Sequence, residues 1–301
     1  MDAWYAWGMV IRPSCVIFVA YNNTPIEAVK KKTLHHCSRA ICQQTKSEEE
    51  EFMLLSHPRG NYHFLRGIDP YSCGVVANPG YEIIHATLER SLPWEQGFQR
   101  VASHLEELDL DRNALCSIEL RSPTPFTMHG FIDFNRDYCA VLQDWGLFVD
   151  GLNPVARTNV APLHQPPSEP HLHAFSYVVA NPHIKRKTLI VAGAGEVLEG
   201  ILEEERIIRA GDTSHESMRE KTSYVMRVME ERLIGLGGSW DLIDTVDIYT
   251  IHPLVELYSQ LILPQMGSAV RHGSRWYYSR PPVIDIDFEM DMRGVVTDLV
   301  I

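Results

Sequence analysis

The segment Ile284–Asp291 carries acidic side chains at a spacing that could perform acid–base chemistry. Apolar residues alternate with acids along it, and this strict period of two predicts a β-strand whose apolar face packs against helices. Its opposite face would carry Asp285, Asp287, Glu289 and Asp291. If that face lines a cleft, repulsion between the carboxylates raises the pKa of at least one of them toward the range of a useful base. A solvated acidic surface is the alternative for each acid taken alone.

Two arginines occupy strands that end the same order of elements in each half of the chain. In the first half, a helix over 94–108, a strand over Ala114–Leu120 and a helix closed by Gly146 precede a short strand around Arg157. The apolar residues of both helices recur at intervals of three or four, as a buried helix face requires.

The second half repeats this order. A helix capped by Thr213 or Ser214, a strand over Ile243–Tyr249 and a short helix near Pro253–Leu263 precede a strand around Arg275. In both halves about sixty residues separate the first helix from the arginine strand, and this constant spacing indicates an internal duplication.

Three motifs of the first half resemble, in the same order, those of the RidA/YjgF family, whose members hydrolyse enamines and imines. Asn153–Pro162 contains Pro-x-Ala-Arg-Thr-x-Val, which is similar to the family's signature strand Pro-Ala-Arg-Ser/Thr-x-Val. Asp69-Pro-Tyr-Ser resembles its Gly-Pro-Tyr, and Asn135-Arg-Asp-Tyr resembles its helical Asn-x-x-Tyr. The resemblance runs from Asn61 to Pro162.

The second half resembles the family more loosely. Thr188–Glu196 stands where the family has a strand ending in Ser-Gly-Gln, and Arg275 stands at the signature arginine. Asp287 matches the glutamate of the family's terminal Ile-Glu-Ile-Glu strand, whereas Val255 replaces the helix asparagine. In the first half no acid clearly fills the terminal-strand position, where His173 is nearest.

The resemblance implies an α/β (α+β) fold of two tandem units, each a mixed sheet of about six strands backed by two helices. We therefore predict an N-terminal extension over 1–55, a first domain over 56–168 and a second over 169–301. Small members of the family are trimers with sites between subunits, so the resemblance also implies a homo-oligomer, with a trimer as the expected form.

The same resemblance implies hydrolysis of an enamine or imine acid. Arg157 or Arg275 would bind the substrate carboxylate, because a guanidinium pairs with a carboxylate through two hydrogen bonds and stays charged. Asp287 would orient the attacking water, Tyr71 would close the pocket or relay a proton, and Asn135 would hold the arginine. Neither a metal nor an organic cofactor is expected.

Further residues complete this assignment or compete with it. Glu289 is a second catalytic candidate, since it or Asp285 takes the place of Asp287 if the strand shifts by two residues. The substrate-binding set is completed by Asn159, His173 and Tyr177. Each assignment has a structural alternative: the arginines could form internal ion pairs, and the tyrosines and asparagines could serve packing or a turn.

We predict a cofactor-free hydrolase that releases ammonia from an enamine, an imine or an aminomuconate-like carboxylic acid. One alternative is a chorismatase-like hydrolase or lyase acting on a cyclic carboxylate, since those enzymes resemble two fused copies of the same fold. Another is a non-catalytic protein that binds a small carboxylate, which the poor match of the second half keeps open.

Composition and motifs disfavour several other classes. The chain has 39 Asp and Glu against 27 Lys and Arg, and the net charge of −12 disfavours binding to nucleic acid. The six cysteines lack zinc-ligand spacing, and prolines separate His164 from His171 and His173. Gly193-Ala-Gly195 lacks the third glycine of a phosphate loop and predicts a tight turn instead.

The apolar N-terminus does not have the pattern of a membrane span. Arg12-Pro13 divides it into two pieces, and neither approaches the ~20 residues that a spanning helix needs. We predict a strand over Val16–Tyr21, a solvated linker around Ser47–Glu51, and a cytoplasmic protein without a membrane partner.

Overall fold

The computed structural model describes residues 53–198, 203 and 206–301, and near the N-terminus the strands β1 (Ile11–Arg12) and β2 (Cys15–Val16), which pair antiparallel. The chain divides into two compact units, residues 1–48 and 49–301. The predicted strand over Val16–Tyr21, apart from Val16, and the predicted linker over Ser47–Glu51 lie outside the described residues. In the described part, no helix is both long and apolar enough to cross a membrane.

The second unit contains thirteen strands and four named helices among its described residues. Its strands are β3 (Leu54–His57), β4 (Tyr62–Leu65), β5 (Gly74–Ala77), β6 (Tyr81–Pro93), β7 (Leu115–Arg121), β8 (Ala156–Pro162), β9 (His171–Ala180), β10 (Leu189–Gly195), β11 (Thr245–Tyr249), β12 (Arg275–Tyr277), β13 (Ser279–Arg280), β14 (Glu289–Gly294) and β15 (Thr297–Val300). Its helices are α1 (Trp94–Glu107), α2 (Met128–Asp144), α3 (His215–Gly235) and the short α4 (Val255–Leu257), which continues as a π-helical turn over Tyr258–Ile262.

Two mixed sheets form the body of this unit. One has the order β12-β11-β14-β10-β5-β4-β3, and the other has the order β13-β8-β7-β9-β6-β15. Each sheet contains the same four-strand arrangement. In β6-β9-β7-β8 and in β10-β14-β11-β12, the first two pairs are antiparallel and the last pair is parallel. The mixed α/β class predicted from sequence is therefore confirmed, and the repeated order of elements appears as a repeated strand topology.

The sheets stack face to face with helices on both outer sides. The apolar faces of α1 and α2 pack on the six-stranded sheet, with Phe98, Leu105 and Tyr138 fully or almost fully buried. The apolar face of α3 and the segment after α4 pack on the seven-stranded sheet. A third apolar cluster, with Val75 and Ile83 among its members, lies between the sheets. The order of layers is thus helix, sheet, sheet, helix.

Strands are exchanged between the two predicted domains. β3, β4 and β5 come from the start of the predicted first domain, but they extend the sheet that α3 covers. From the second domain, β13 pairs with β8 and β15 pairs with β6. Each sheet therefore contains strands from both 56–168 and 169–301, within one compact unit. The predicted domain boundary near residue 168, which would separate the two repeats of an internal duplication, stays a prediction.

Helix bounds follow the sequence pattern closely, whereas the acidic strand begins later than predicted. The Ser214 side chain accepts a hydrogen bond from the backbone N–H of Ser217, as an N-terminal cap of α3. The predicted strand over 284–291 is wrong in its bounds, because β14 spans Glu289–Gly294. Asp285 has a φ of 69°, a left-handed conformation that is incompatible with an extended strand.

Candidate active site

Arg157 lies on β8 as a buried guanidinium without an acidic partner. Its side chain is 2% exposed. Nη1 donates to Oδ1 of Asn135 at 2.7 Å, and among the described residues no carboxylate forms an ion pair with Arg157. Arg157 pairs with Ile118 of β7, a residue of the core beneath α1 and α2, so its side chain points toward the helices. A buried charge without a counter-charge is costly, which indicates that an anion completes the site.

Three aromatic rings surround the guanidinium. Its Cζ atom lies 4.8 Å from the ring centre of Tyr71, 4.9 Å from that of Tyr138 and 5.3 Å from that of Phe131. Phe131, Asn135 and Tyr138 are spaced by four and three residues on α2, so they share one helix face. Tyr71 is placed by its neighbour Ser72, whose backbone N–H donates to the carbonyl oxygen of Val155 at 3.0 Å. These contacts fix the plane of the guanidinium.

Donor groups near Arg157 are buried without partners. Among the described residues, Asn135 Nδ2, Tyr138 Oη and Asn159 Nδ2 have no hydrogen-bond partner. The Asn159 amide is oriented by Ser122, whose hydroxyl donates to its Oδ1 at 2.9 Å. Asn159 lies two residues after Arg157 and so shares its face of β8. Buried donors left unpaired beside a cation favour a polar, anionic ligand.

Glu289, the first residue of β14, is a buried acid whose pKa responds to the charge of Arg157. Burial, and next the charge of Asp291, raise the pKa of its carboxyl group well above the usual range, although the charges of Arg157 and Arg232 oppose the shift. A raised pKa favours the protonated form, in which the carboxyl group can donate a proton. Burial also raises the pKa of Tyr71 to about 12, against the charges of the same two arginines.

Gly193 makes room for the Glu289 carboxyl group. A Cβ atom added at Gly193 would lie 2.5 Å from Oε1 of Glu289 and 3.1 Å from Oγ1 of Thr158. The predicted tight turn at Gly193-Ala-Gly195 is wrong, because these residues belong to β10 at an irregularity in its pairing with β14. The glycine serves a close approach between strands rather than a turn.

Asp287, the predicted water-orienting residue, lies in an ion cluster. Its Oδ2 accepts a hydrogen bond from Nζ of Lys221 at 2.5 Å, and its Oδ1 lies 3.1 Å from Nε2 of His252. Burial alone would raise the pKa of Asp287, but the hydrogen bonds from His252 and Lys221 lower it. Lys221 Nζ also lies 3.3 Å from Oε1 of Glu196, whose pKa burial raises to about 7. Arg157 is among the main electrostatic influences on the pKa of Glu289, whereas the main influences on the pKa of Asp287 are burial, His252 and Lys221.

The remaining predicted site residues make their contacts with residues other than Arg157. Arg275 lies on β12 and is exposed. Its backbone neighbour across the strand pair β12–β11 is Asp247, whose side chain faces the other sheet. His173 Nδ1 lies 2.9 Å from the hydroxyl of Ser91, and burial lowers the pKa of His173 to about 4. Tyr177 packs in the core under α1 and contacts His104 Nε2 through its hydroxyl at 3.1 Å.

A second group of charges, which sequence reasoning missed, lies between the sheets. Arg293 Nη1 lies 2.9 Å from Asp247 and 3.8 Å from Glu119, and His85 bridges Glu119 and Asp298 at 3.0 and 2.9 Å. Glu119 and Asp247 each interrupt an otherwise mostly apolar strand, and that interruption is the signal that could have identified them. In the described ranges, no cluster of His, Cys, Asp and Glu is arranged to hold a metal ion.

Comparison with known proteins assigns the family. The sequence pattern of the family described as 2-aminomuconate deaminase CnbZ matches residues 54–299. The chain belongs to this deaminase family. The deaminase is 38% identical over 246 residues to the 2-amino-5-chloromuconate deaminase of Comamonas testosteroni, an alignment that covers 80% of this chain and 96% of that relative. The prediction of a deaminase enzyme is confirmed, whereas the matched family is CnbZ rather than RidA/YjgF.

Two solved structures resemble the deaminase distantly. One is a chorismatase, at 11% identity and a TM-score of 0.42 over 77% of this chain and 79% of the other. The other is a cyanuric acid hydrolase, at 12% identity and a TM-score of 0.35 over 73% and 69%. These likenesses are too weak to support an activity, so the chorismatase-like alternative gains no support from them.

Proposed function

We propose that the chain hydrolyses a 2-aminomuconate-type enamine dicarboxylate to the corresponding 2-oxo acid and ammonia, with Arg157 as the carboxylate anchor. The observation that carries this proposal is a guanidinium 2% exposed that has no acidic partner among the described residues. A substrate carboxylate supplies the missing charge, and it can accept two parallel hydrogen bonds from the guanidinium. The names of the matched family and of the curated relative support the substrate class.

The contacts of Arg157 prepare it for that role. Asn135 occupies Nη1, and the three aromatic rings hold the guanidinium, so the orientation of its N–H groups is fixed before substrate arrives. The unpaired amide nitrogen of Asn159 and the hydroxyl of Tyr138 add neutral donors. A prepared set of donors lowers the entropic cost of binding.

Glu289 supplies the proton that begins the reaction. The β-carbon of the enamine takes the proton from Glu289, and the C–N single bond becomes an iminium C=N bond. Water then adds to the iminium carbon, while the Glu289 carboxylate accepts a proton from that water. After a proton moves to nitrogen, the C–N bond breaks, ammonia leaves and a carbonyl group forms. The reaction consumes one water and needs no oxidant or reductant.

The repeated strand topology supports a finer statement about origin. We propose further that each of the two four-strand arrangements, together with its helices, is a RidA-like unit, and that the chain joins two such units in tandem. A trimer, inferred only from the resemblance, stays a prediction.

The proposal is tested by incubating purified protein with 2-aminomuconate. Absorbance of the conjugated enamine and released ammonia are followed together. We expect both signals to change in equal molar amounts and far faster than in buffer. A rate no greater than the spontaneous rate, with protein that is folded by circular dichroism, would refute the proposal.

A further inference from the structure

We infer that Asn159, held in place by Ser122, binds the second carboxylate of the substrate and so selects dicarboxylates over monocarboxylates of the same length. This inference rests on the proposed function, in which Arg157 binds the first carboxylate. A muconate carries a carboxylate at each end of a conjugated chain, and Arg157 accounts for one end only. The other end either stays in solvent or meets a second group of donors, and the contacts of Asn159 favour the second arrangement.

Asn159 and Arg157 lie two residues apart on β8 and point to the same side of the sheet. Arg157 is paired with Ile118 of β7. Asn159 is paired with Leu120, and both of these β7 residues belong to the core beneath α1 and α2. Alternate residues of a strand are roughly 7 Å apart along its axis. A linear ligand that lies along β8 can therefore meet both side chains with its two ends.

The amide of Asn159 is buried, oriented and incompletely paired. Asn159 is 2% exposed, and its Oδ1 accepts a hydrogen bond from the hydroxyl of Ser122 at 2.9 Å. Ser122 is itself fully buried, and its backbone N–H donates to the carbonyl oxygen of Val160 at 2.8 Å. Since Ser122 occupies Oδ1, the N–H groups of Nδ2 remain for a ligand, and among the described residues Nδ2 has no partner. A buried donor without a partner is costly, so an acceptor is expected beside it.

This arrangement distinguishes a dicarboxylate from a monocarboxylate by hydrogen bonding. A carboxylate at the second end of the ligand accepts from Nδ2 of Asn159, and bonds to a charged acceptor are stronger than those between neutral groups. A methyl group at the same end cannot accept them, and it leaves the buried amide unpaired. Sites that hydrogen-bond one part of a substrate reject analogues lacking that part for this reason. Asn159 is therefore a specificity-determining residue, and Ser122 is the residue that positions it.

Two stable ligands test this role without turnover. trans,trans-Muconate and sorbate share one conjugated carbon chain, but sorbate has a methyl group where muconate has its second carboxylate. Neither carries an amino group, so neither is deaminated. Isothermal titration calorimetry on the full chain measures the dissociation constant of each. We expect the wild-type protein to bind muconate at least about 10-fold more tightly than sorbate, because the sorbate complex lacks the hydrogen bonds to a charged group.

Three variants assign the preference to particular side chains. Asn159→Ala should weaken the binding of muconate about 10- to 100-fold and should not weaken that of sorbate. Ser122→Ala keeps the Asn159 amide but leaves it free to rotate, so we expect a smaller loss for muconate, about threefold. Arg157→Met should weaken the binding of both ligands, because it removes the contact that they share.

The matched control is Ser176→Ala on β9. Ser176 is also buried, with a hydroxyl oxygen that has no partner among the described residues. It is the strand neighbour of His85, whose side chain lies between the sheets, so it faces away from α2. This control removes a buried polar atom outside the site and should leave both dissociation constants unchanged.

The outcomes separate this role from the proposed function. The inference is refuted if the wild-type protein binds both ligands equally, or if Asn159→Ala keeps full affinity for muconate or weakens both ligands alike. Ammonia release from 2-aminomuconate would leave the deaminase proposal standing in each of these cases. If Asn159→Ala does not fold, Ser122→Ala decides, and unchanged muconate binding in that variant refutes the inference. If the wild-type protein releases no ammonia but its preference for muconate depends on Asn159, the proposed reaction fails and the dicarboxylate site remains.

Discussion

Arg157 and Arg275 lie on corresponding strands of the two repeated units, yet their surroundings are opposite. Arg157 pairs with Ile118, points toward the helices and is 2% exposed. Arg275 is the strand neighbour of Asp247 in the β12–β11 register, so its side chain points toward the other sheet, and it is exposed. By strand pairing, Trp276 faces the helices in the second unit, since it pairs with Ile248 of the core beneath α3. A shift of one residue along a strand reverses the face of every side chain, so equal spacing in the two halves does not give equal sites.

The difference between the two arginines is tested most directly by replacing each of them with a neutral side chain. We expect Arg157→Met to lower kcat/KM about 1000-fold, because loss of a buried charge-assisted contact costs about 4 kcal/mol. Arg275→Met should change kcat/KM by less than about twofold, as expected for an exposed charge. Steady-state kinetics with 2-aminomuconate measure both. Equal losses in the two variants would show that the two strands contribute alike to the site.

A second test concerns the acid near Arg157. We expect Glu289→Gln to lower kcat about 100-fold, because glutamine keeps the shape of the side chain but cannot donate the proton. In the wild-type protein, kcat should fall as pH rises through the raised pKa of Glu289, since the proton needed by the substrate is then lost.

The control for this test is Asp285→Asn, an exposed acid of the same segment at a left-handed position that asparagine tolerates. Its pH profile should match that of the wild-type protein. If Glu289→Gln keeps wild-type kcat, the proton comes from another group.

The smallest expected effect concerns the charges between the sheets. Burial, and next the charge of Asp247, raise the pKa of Asp291 to about 8, above the 3.8 of a free aspartate. The folded state thus holds a proton that the unfolded state releases, so this group lowers the free energy of unfolding as pH rises from about 4 to about 8.

With Asp291→Asn, the free energy of unfolding should fall by at least about 1 kcal/mol less as pH rises, because an asparagine side chain cannot ionise. Urea unfolding at pH 5 and pH 9 measures the difference, with the exposed Asp137→Asn as the control. A pH dependence identical to that of the wild-type protein would contradict a proton held at Asp291.

Local patterns predict the elements and part of the site. The helical periodicity places α1 and α3 within a residue or two of their observed ends, because one apolar face packs on a sheet. The motifs around Tyr71, Asn135 and Arg157 lead to residues that the structure brings into contact. One helix and the strands next to it bring these groups together. Short sequence motifs can therefore predict that they lie close to one another.

Contacts between distant segments were not predictable in the same way. Asp287 looks like a free acid in its strand pattern, but Lys221 and His252 reach it from other elements. The side of the sheet that Arg275 faces depends on the register of β12 with β11. Register and long-range pairing arise from tertiary packing, which a single sequence pattern does not contain.

The exchange of strands has a consequence for biosynthesis. β15 (Thr297–Val300) pairs with β6, and β14, which carries Glu289, is synthesised more than a hundred residues after Arg157. The six-stranded sheet therefore cannot be completed during synthesis until β13 and β15 have been made. Each sheet contains strands from both sides of residue 168, so we expect fragments divided there to fold only when they are expressed together.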